Sequence, residues 1–419
     1  MRKLIENLFT TIIVLLIIII ASGTIYFCLD VFGVIQVPDE YSIASLFNTQ
    51  IEVLANGDDY TDTITDKINT NEVGNKIVYK KKKKVSENIP TEPAKTVEEI
   101  NAEFEKAYAD KTDTQEVEQG ETQEHAINLN TAGANSLYYM QLDSYGKQIY
   151  EEMFRNKLQM KSGLYTADFG DKFNDLLHTD YGSDTLNSAF QYSINALTFD
   201  NPEIFYVDVT KLYLLTEITT RAFSKSYKVS IGVNEENYLS DEFPTEDDVN
   251  RAVNKIESVR SELVKACQGK TQPEQIKIVH DYLLDTVEYD KSNGSTVYNA
   301  YGALINRRAV CEGYARAFKY VLDELKIPCV IVCGIAENRD GQRESHAWNY
   351  VYLKGEWYAI DVTWDDPIIT GYGRPGDDIK YAYYLKGSDE FFEDHFEDGN
   401  IVSDSEFKYP TISKTNFDY

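Results

Sequence analysis

Three side chains able to do acyl chemistry together fall within one stretch of the sequence. They are a cysteine in AVCEGYARAF, a histidine in HAWNYVYL and an aspartate in WYAIDVTW. Cys311 opens a predicted helix whose buried face repeats as Tyr314, Phe318, Val321, Leu322 and Leu325, ending before Ile327-Pro328. A sulfur in that first turn points inward, where free N–H groups and the positive end of the helix dipole favour negative charge. A cysteine alone in such a place is more often a small core residue, so the other two residues decide. His346 and Asp361 lie in two strand-like runs joined by Lys354-Gly355. A two-residue turn there pairs Leu353 with Glu356 and predicts His346 opposite Thr363 and Trp348 opposite Asp361. Alternation then puts all four side chains on one face, with Asp361 diagonal to His346 at roughly 7–8 Å, within reach of a carboxylate. A thiol, an imidazole to deprotonate it and a carboxylate to orient the imidazole form the general arrangement for nucleophilic acyl transfer. The same three residues lack the paired spacing of a zinc site, so neither a metal nor a cofactor is expected.

The surroundings of these residues suggest supporting roles. The backbone N–H of Cys311 is the natural first oxyanion donor, and Tyr301 or Asn299 in YNAYGALI could give a second. Trp348 and Trp364 flank the histidine and aspartate and could wall the site, although packing on a sheet is the commoner role of tryptophan. Cys329 and Cys333, four apart on one predicted strand, would lie about 13 Å apart and cannot bridge each other. They and Cys267 read as buried thiols. His280 reads as structural or exposed, and His125, His178 and His395 lack any partner pattern.

The three blocks around Cys311, His346 and Asp361 resemble the transglutaminase-like superfamily of papain-type cysteine enzymes. The resemblance covers roughly Glu274 to Pro367, and the segment DNPEIFYVD looks like the extension that accompanies this domain in many bacterial membrane-anchored proteins. It implies an α+β fold, with a nucleophile helix packed on an antiparallel sheet, Cys311 as nucleophile, His346 as base and Asp361 as orienting acid. Members of the family crosslink proteins, cleave amides or peptides, or have lost activity. Hydrolysis of an amide or peptide is the expected outcome here, because the sequence shows no dedicated amine-acceptor site and no obvious calcium ligands. A catalytically silent surface scaffold that binds peptides or wall polymers is the competing expectation.

Positioning such a site needs a core, and 42 % hydrophobic and 13 % aromatic residues in 419 can build one. The charge sum, 41 − 69 = −28, would repel a phosphate backbone and disfavours nucleic acid as a partner. Residues 8–29 carry no charge and are long enough to span a membrane, with Arg2 and Lys3 before them and acidic residues after. A single-pass anchor is expected, with residues 1–7 cytoplasmic and the catalytic part extracytoplasmic, facing peptide or protein substrates at the cell surface, cell-wall peptides among them. Residues 30–135, polar from about Asn56, read as a mostly disordered stalk. A helical and strand extension is expected over 136–243, the catalytic domain over 244–368 and a cap or subdomain over 369–419. Within these, helices are predicted from Leu137, from an N-cap at Asp184, from Thr245 and from the capping box Thr271…Glu274. Strands are predicted in EIFYVDV, TKLYLLTEI and SYKVSIGV.

Overall fold

The computed structural model describes residues 49–56, 69–70, 76–79, 137–221, 224–233, 236–292, 294–338, 341–366, 380–398, 400–402 and 405–418. The expected anchor over 8–29 lies outside them. Among the described residues, no helix is long and apolar enough to cross a membrane.

Two sheets carry the molecule. The first has six strands in the order β2-β3-β1-β5-β6-β4, built from β1 (Thr49–Asn56), β2 (Asn69–Thr70), β3 (Lys76–Tyr79), β4 (Ala167–Gly170), β5 (Tyr213–Arg221) and β6 (Ser224–Gly232). Three pieces of the stretch expected to be a stalk are therefore strands. TQIEVLAN pairs antiparallel with β5, Ile51 opposite Glu217, so the edge of β5 supplies the pairing that local composition did not reveal. EIFYVDV, expected as a strand, is mostly turn, with a single antiparallel bridge from Val207 to Leu239, and a continuous strand starts only at Tyr213. The expected first helix splits into α1 (Leu137–Met140) and α2 (Ser144–Arg155), because Asp143 accepts from the N–H of Gly146 and starts a new helix. α3 (Asn174–Leu177) and α4 (Gly182–Asp200) follow.

Next come α5 (Glu246–Ala266), capped by Thr245, and α6 (Gln272–Thr286), with the capping box of Thr271 and Glu274 in place. After the short parallel pair β7 (Glu288–Tyr289) and β8 (Arg308–Ala309), α7 (Cys311–Glu324) packs on the second sheet. That sheet is antiparallel, in the order β11-β10-β9-β12, from β9 (Cys329–Glu337), β10 (Arg343–Leu353), β11 (Glu356–Ile360) and β12 (His395–Glu397). The β10–β11 turn has positive φ at both central residues, 50° at Lys354 and 94° at Gly355, the two-residue turn whose twist suits a hairpin. Leu353 pairs with Glu356 as predicted, but the ladder ends at Asn349 opposite Ile360. Asp361 instead begins a turn, held by its N–H to the carbonyl of Tyr383.

Buried side chains form one continuous core from Leu137 to Phe417. The Tyr138 hydroxyl of α1 donates to the carbonyl of Ile331 on β9 at 2.7 Å. Arg316 of α7 donates to the carbonyl of Thr198 and lies over the Phe199 ring at 4.4 Å. The C-terminal segment is likewise built in: β12 is the fourth strand of the second sheet, Lys386 bridges Ala359 and Ile412 bridges Trp357.

Candidate active site

Each member of the site hangs from a different element. Val310 is extended at the N-cap of α7, which sets Cys311 in the first turn on the face toward the sheet. His346 enters from β10, opposite Gly334 of β9. A Cβ at Gly334 would lie 2.2 Å from the Phe396 carbonyl oxygen and 2.5 Å from the Trp348 ring, so only glycine lets β12 and that indole close on the strand beside the histidine. Asp361 comes from the 361–366 turn, which two further aspartates anchor. Asp365 accepts from His280 at 3.0 Å and from the N–H of Tyr383 at 2.7 Å, and Asp366 accepts from the Tyr314 hydroxyl of α7 at 2.9 Å. All three aspartates are fully buried.

The structure brings the three sequence-predicted residues into one line. His346 Nε2 donates to Asp361 Oδ2 at 2.7 Å, and Cys311 is close enough to the imidazole to help raise its pKa. With Nε2 given to the carboxylate, Nδ1 is the nitrogen left to face the sulfur. Asp361 Oδ1 accepts from the N–H groups of Thr363 at 2.9 Å and Trp364 at 3.1 Å. Burial is the largest influence on His346 and pulls its pKa down, but the charge and hydrogen bond of Asp361, with Cys311, outweigh it and raise it to about 10. Burial pushes Asp361 up, yet His346 and His395 hold its carboxyl far below the ordinary range. At neutral pH the pair is therefore imidazolium and carboxylate. Burial raises the pKa of Cys267, Cys329 and Cys333, whereas Cys311 is only half-buried. A half-buried sulfur beside an oriented imidazolium can attack an acyl carbon and return a proton to its leaving group.

Trp348 and Trp364 both pack on the histidine, with ring centroids 6.1 and 5.5 Å from it. Tyr301 stacks on Phe205 and meets Phe243 edge-on, and the Asn299 amide donates to the Phe205 carbonyl while its oxygen accepts from Gly302. Of the two expected second oxyanion donors, the Asn299 amide is thus engaged by Phe205, while the Tyr301 ring packs against Phe205 and Phe243. Sequence reasoning missed His395, which lies 3.1 Å from Asp361 Oδ2 through Nε2 and 2.6 Å from Asp394 Oδ1 through Nδ1. Its one local signal is a histidine inside the aromatic run FFEDHF. His280, expected to be structural or exposed, is fully buried between Asp281 and Asp365. His346, Asp361 and His395 offer donor atoms within 4.8 Å of one another and could hold a metal ion, although in the structure they are joined by hydrogen bonds through one carboxylate oxygen.

The segment that carries this line of residues is a transglutaminase-like domain: residues 257–362 match the Transglutaminase-like superfamily. Kyphoscoliosis peptidase of Mus musculus is 28 % identical over 137 residues, 30 % of this chain and 21 % of that protein. Its Homo sapiens counterpart is 26 % identical over 143 residues, 31 % and 22 % of the two chains. The matched stretch is thus about a fifth of the length of these relatives. A crystal structure of a TGase overlaps 36 % of this chain and 45 % of its own at 16 % identity, with a TM-score of 0.24.

Proposed function

We propose that the protein is a cysteine-dependent acyl-transfer enzyme that hydrolyses amide or peptide bonds, with Cys311 as nucleophile, His346 as proton carrier and Asp361 as the orienting carboxylate. The observation that carries this reading is the buried His346–Asp361 pair, joined by a 2.7 Å charged hydrogen bond, with the half-buried Cys311 beside the imidazole. The sulfur, its proton already carried on His346 Nδ1, adds to the substrate carbonyl carbon, and the oxygen that gains charge faces the N–H of Cys311, one of the first-turn groups with no partner within the helix. His346 gives its Nδ1 proton to the nitrogen of the leaving amine, the C–N bond breaks, and an acyl thioester remains on Cys311. The now neutral imidazole takes a proton from water, the hydroxide oxygen bonds the acyl carbon, and the C–S bond breaks to release the acid. Asp361 keeps its proton state throughout and fixes the ring.

An amine in place of water would give a crosslink from the same thioester. The relatives at 28 % and 26 % identity bear the name peptidase, which favours water. In this proposal the charge-free run 8–29, flanked by Arg2 and Lys3, tethers the site outside a membrane, with peptides or proteins at the cell surface as substrates. The test is product analysis with the full chain, a panel of peptides including glutamine donors, and excess primary amine. Free acid that requires Cys311 is expected. Predominant amine conjugate would overturn hydrolysis, and no Cys311-dependent product with any peptide would favour a silent binding scaffold.

A further inference from the structure

The superfamily match ends at residue 362, yet the carboxylate at its end is not held by that segment alone. Asp361 Oδ2 lies between two imidazoles, His346 at 2.7 Å and His395 at 3.1 Å. His395 is fully buried and comes from β12, the edge strand contributed by the C-terminal segment, where it pairs with Ala336. Its own ring is fixed on every side. Phe391 stacks on it at 4.1 Å, and Trp364, Trp348 and Tyr383 surround it at 4.7, 5.1 and 5.2 Å. Asp394 engages its second nitrogen at 2.6 Å. Core packing alone would not require a histidine in such an aromatic cage, since phenylalanine would fill it. What histidine adds is a donor aimed at the oxygen that orients His346.

From this we infer that His395 is a positioning residue of the active site, a second imidazole that locks the Asp361 carboxylate so that its other partner, His346, faces Cys311. The inference rests on the proposed function and assigns the C-terminal segment a part in the chemistry. Four donors then fix the carboxylate: two imidazoles on Oδ2 and two backbone N–H groups on Oδ1. Without His395 the backbone still holds Oδ1, but Oδ2 has one restraint fewer, and the His346 ring swings with it.

The experiment compares the full chain with His395→Phe, which keeps ring and volume, and His395→Gln, which keeps a side-chain N–H donor. Iodoacetamide labelling of Cys311 is followed by mass spectrometry, alongside the melting temperature, and kcat and KM are measured on whichever peptide the wild type cleaves. Loss of one hydrogen bond to a charged group should slow His395→Phe labelling and kcat about 10- to 100-fold with KM unchanged. His395→Gln should recover most of that loss. Wild-type rates in His395→Phe would overturn the inference. So would equal losses in both variants that track a fall in melting temperature, since a purely structural residue would behave that way. If the wild-type Cys311 labels no faster than Cys329, the proposed function itself fails and the inference falls with it, an outcome distinguishable because it needs no variant.

Discussion

Replacing Asp361 by Asn tests the electrostatics of the site without changing its shape. The new carbonyl can keep the N–H groups of Thr363 and Trp364, which Oδ1 now holds at 2.9 and 3.1 Å. The amide NH₂, however, would face the N–H groups of His346 and His395 where Oδ2 now accepts both. Two donor bonds are lost and a buried imidazolium loses its counter-charge, a change that costs about 3–5 kcal/mol when one partner of a buried pair is removed. At roughly 2–4 °C per kcal/mol for a domain of this order, the melting temperature should fall by about 10 °C near neutral pH. The deficit has a pH signature. His346 is raised from its ordinary 6.5 to about 10, so its contribution to stability is whole below about 6.5 and disappears as pH rises through 10. Asp361 is held below the ordinary carboxylate range, so its contribution is present above about 4 and lost only as pH falls through the depressed value. Thermal denaturation of the wild type and Asp361→Asn at about pH 6 and about pH 10.5 should therefore give a large difference at the first and a small one at the second. A difference of equal size at both would refute the imidazolium–carboxylate pair.

Two further outcomes follow from the packing around the site. Gly334→Ala forces a methyl within 2.2 Å of the Phe396 carbonyl oxygen and 2.5 Å of the Trp348 ring. It should cost about 1–3 kcal/mol or more and slow Cys311 alkylation, and an unchanged melting temperature would show that β12 does not close on β9 there. Burial raises the Asp200 carboxyl to about 7 despite Lys319 and the N–H groups of Tyr139 and Tyr138. Between about pH 4 and 7 the folded chain thus binds this proton more readily than the unfolded one, and stability falls as pH rises. Asp200→Asn should gain melting temperature relative to wild type across that range, whereas a constant offset would contradict the assignment.

Much of the site was legible because its geometry is local. The Lys354-Gly355 turn fixes the hairpin register within a few residues, and the apolar stripe from Tyr314 to Leu325 fixes which way Cys311 faces. Even so, the ladder stopped at Asn349 and Ile360, since Asp361 is recruited into a turn by Tyr383 and Asp365, residues that no hairpin rule includes. His395 and the strand Thr49–Asn56 were illegible for a related reason. Each acquires its role from a partner far along the chain, Asp361 for the first and β5 for the second, and neither carries a spacing that betrays it. Tyr301 and Asn299 sit in a suggestive block, but the partners they meet, Phe205 for both and Phe243 for Tyr301, come from far along the chain. Such tertiary contacts override local pattern.

The central claim, that Cys311 carries the acyl group, is tested most directly with a peptide p-nitrophenyl ester, an activated donor that bypasses substrate preference. Acid-quenched intact mass and peptide mapping should find one acyl group on Cys311, formed with a stoichiometric burst of p-nitrophenol. The adduct should be absent in Cys311→Ala and retained in Cys329→Ala. An adduct on any other residue, or a burst that survives Cys311→Ala, would contradict it.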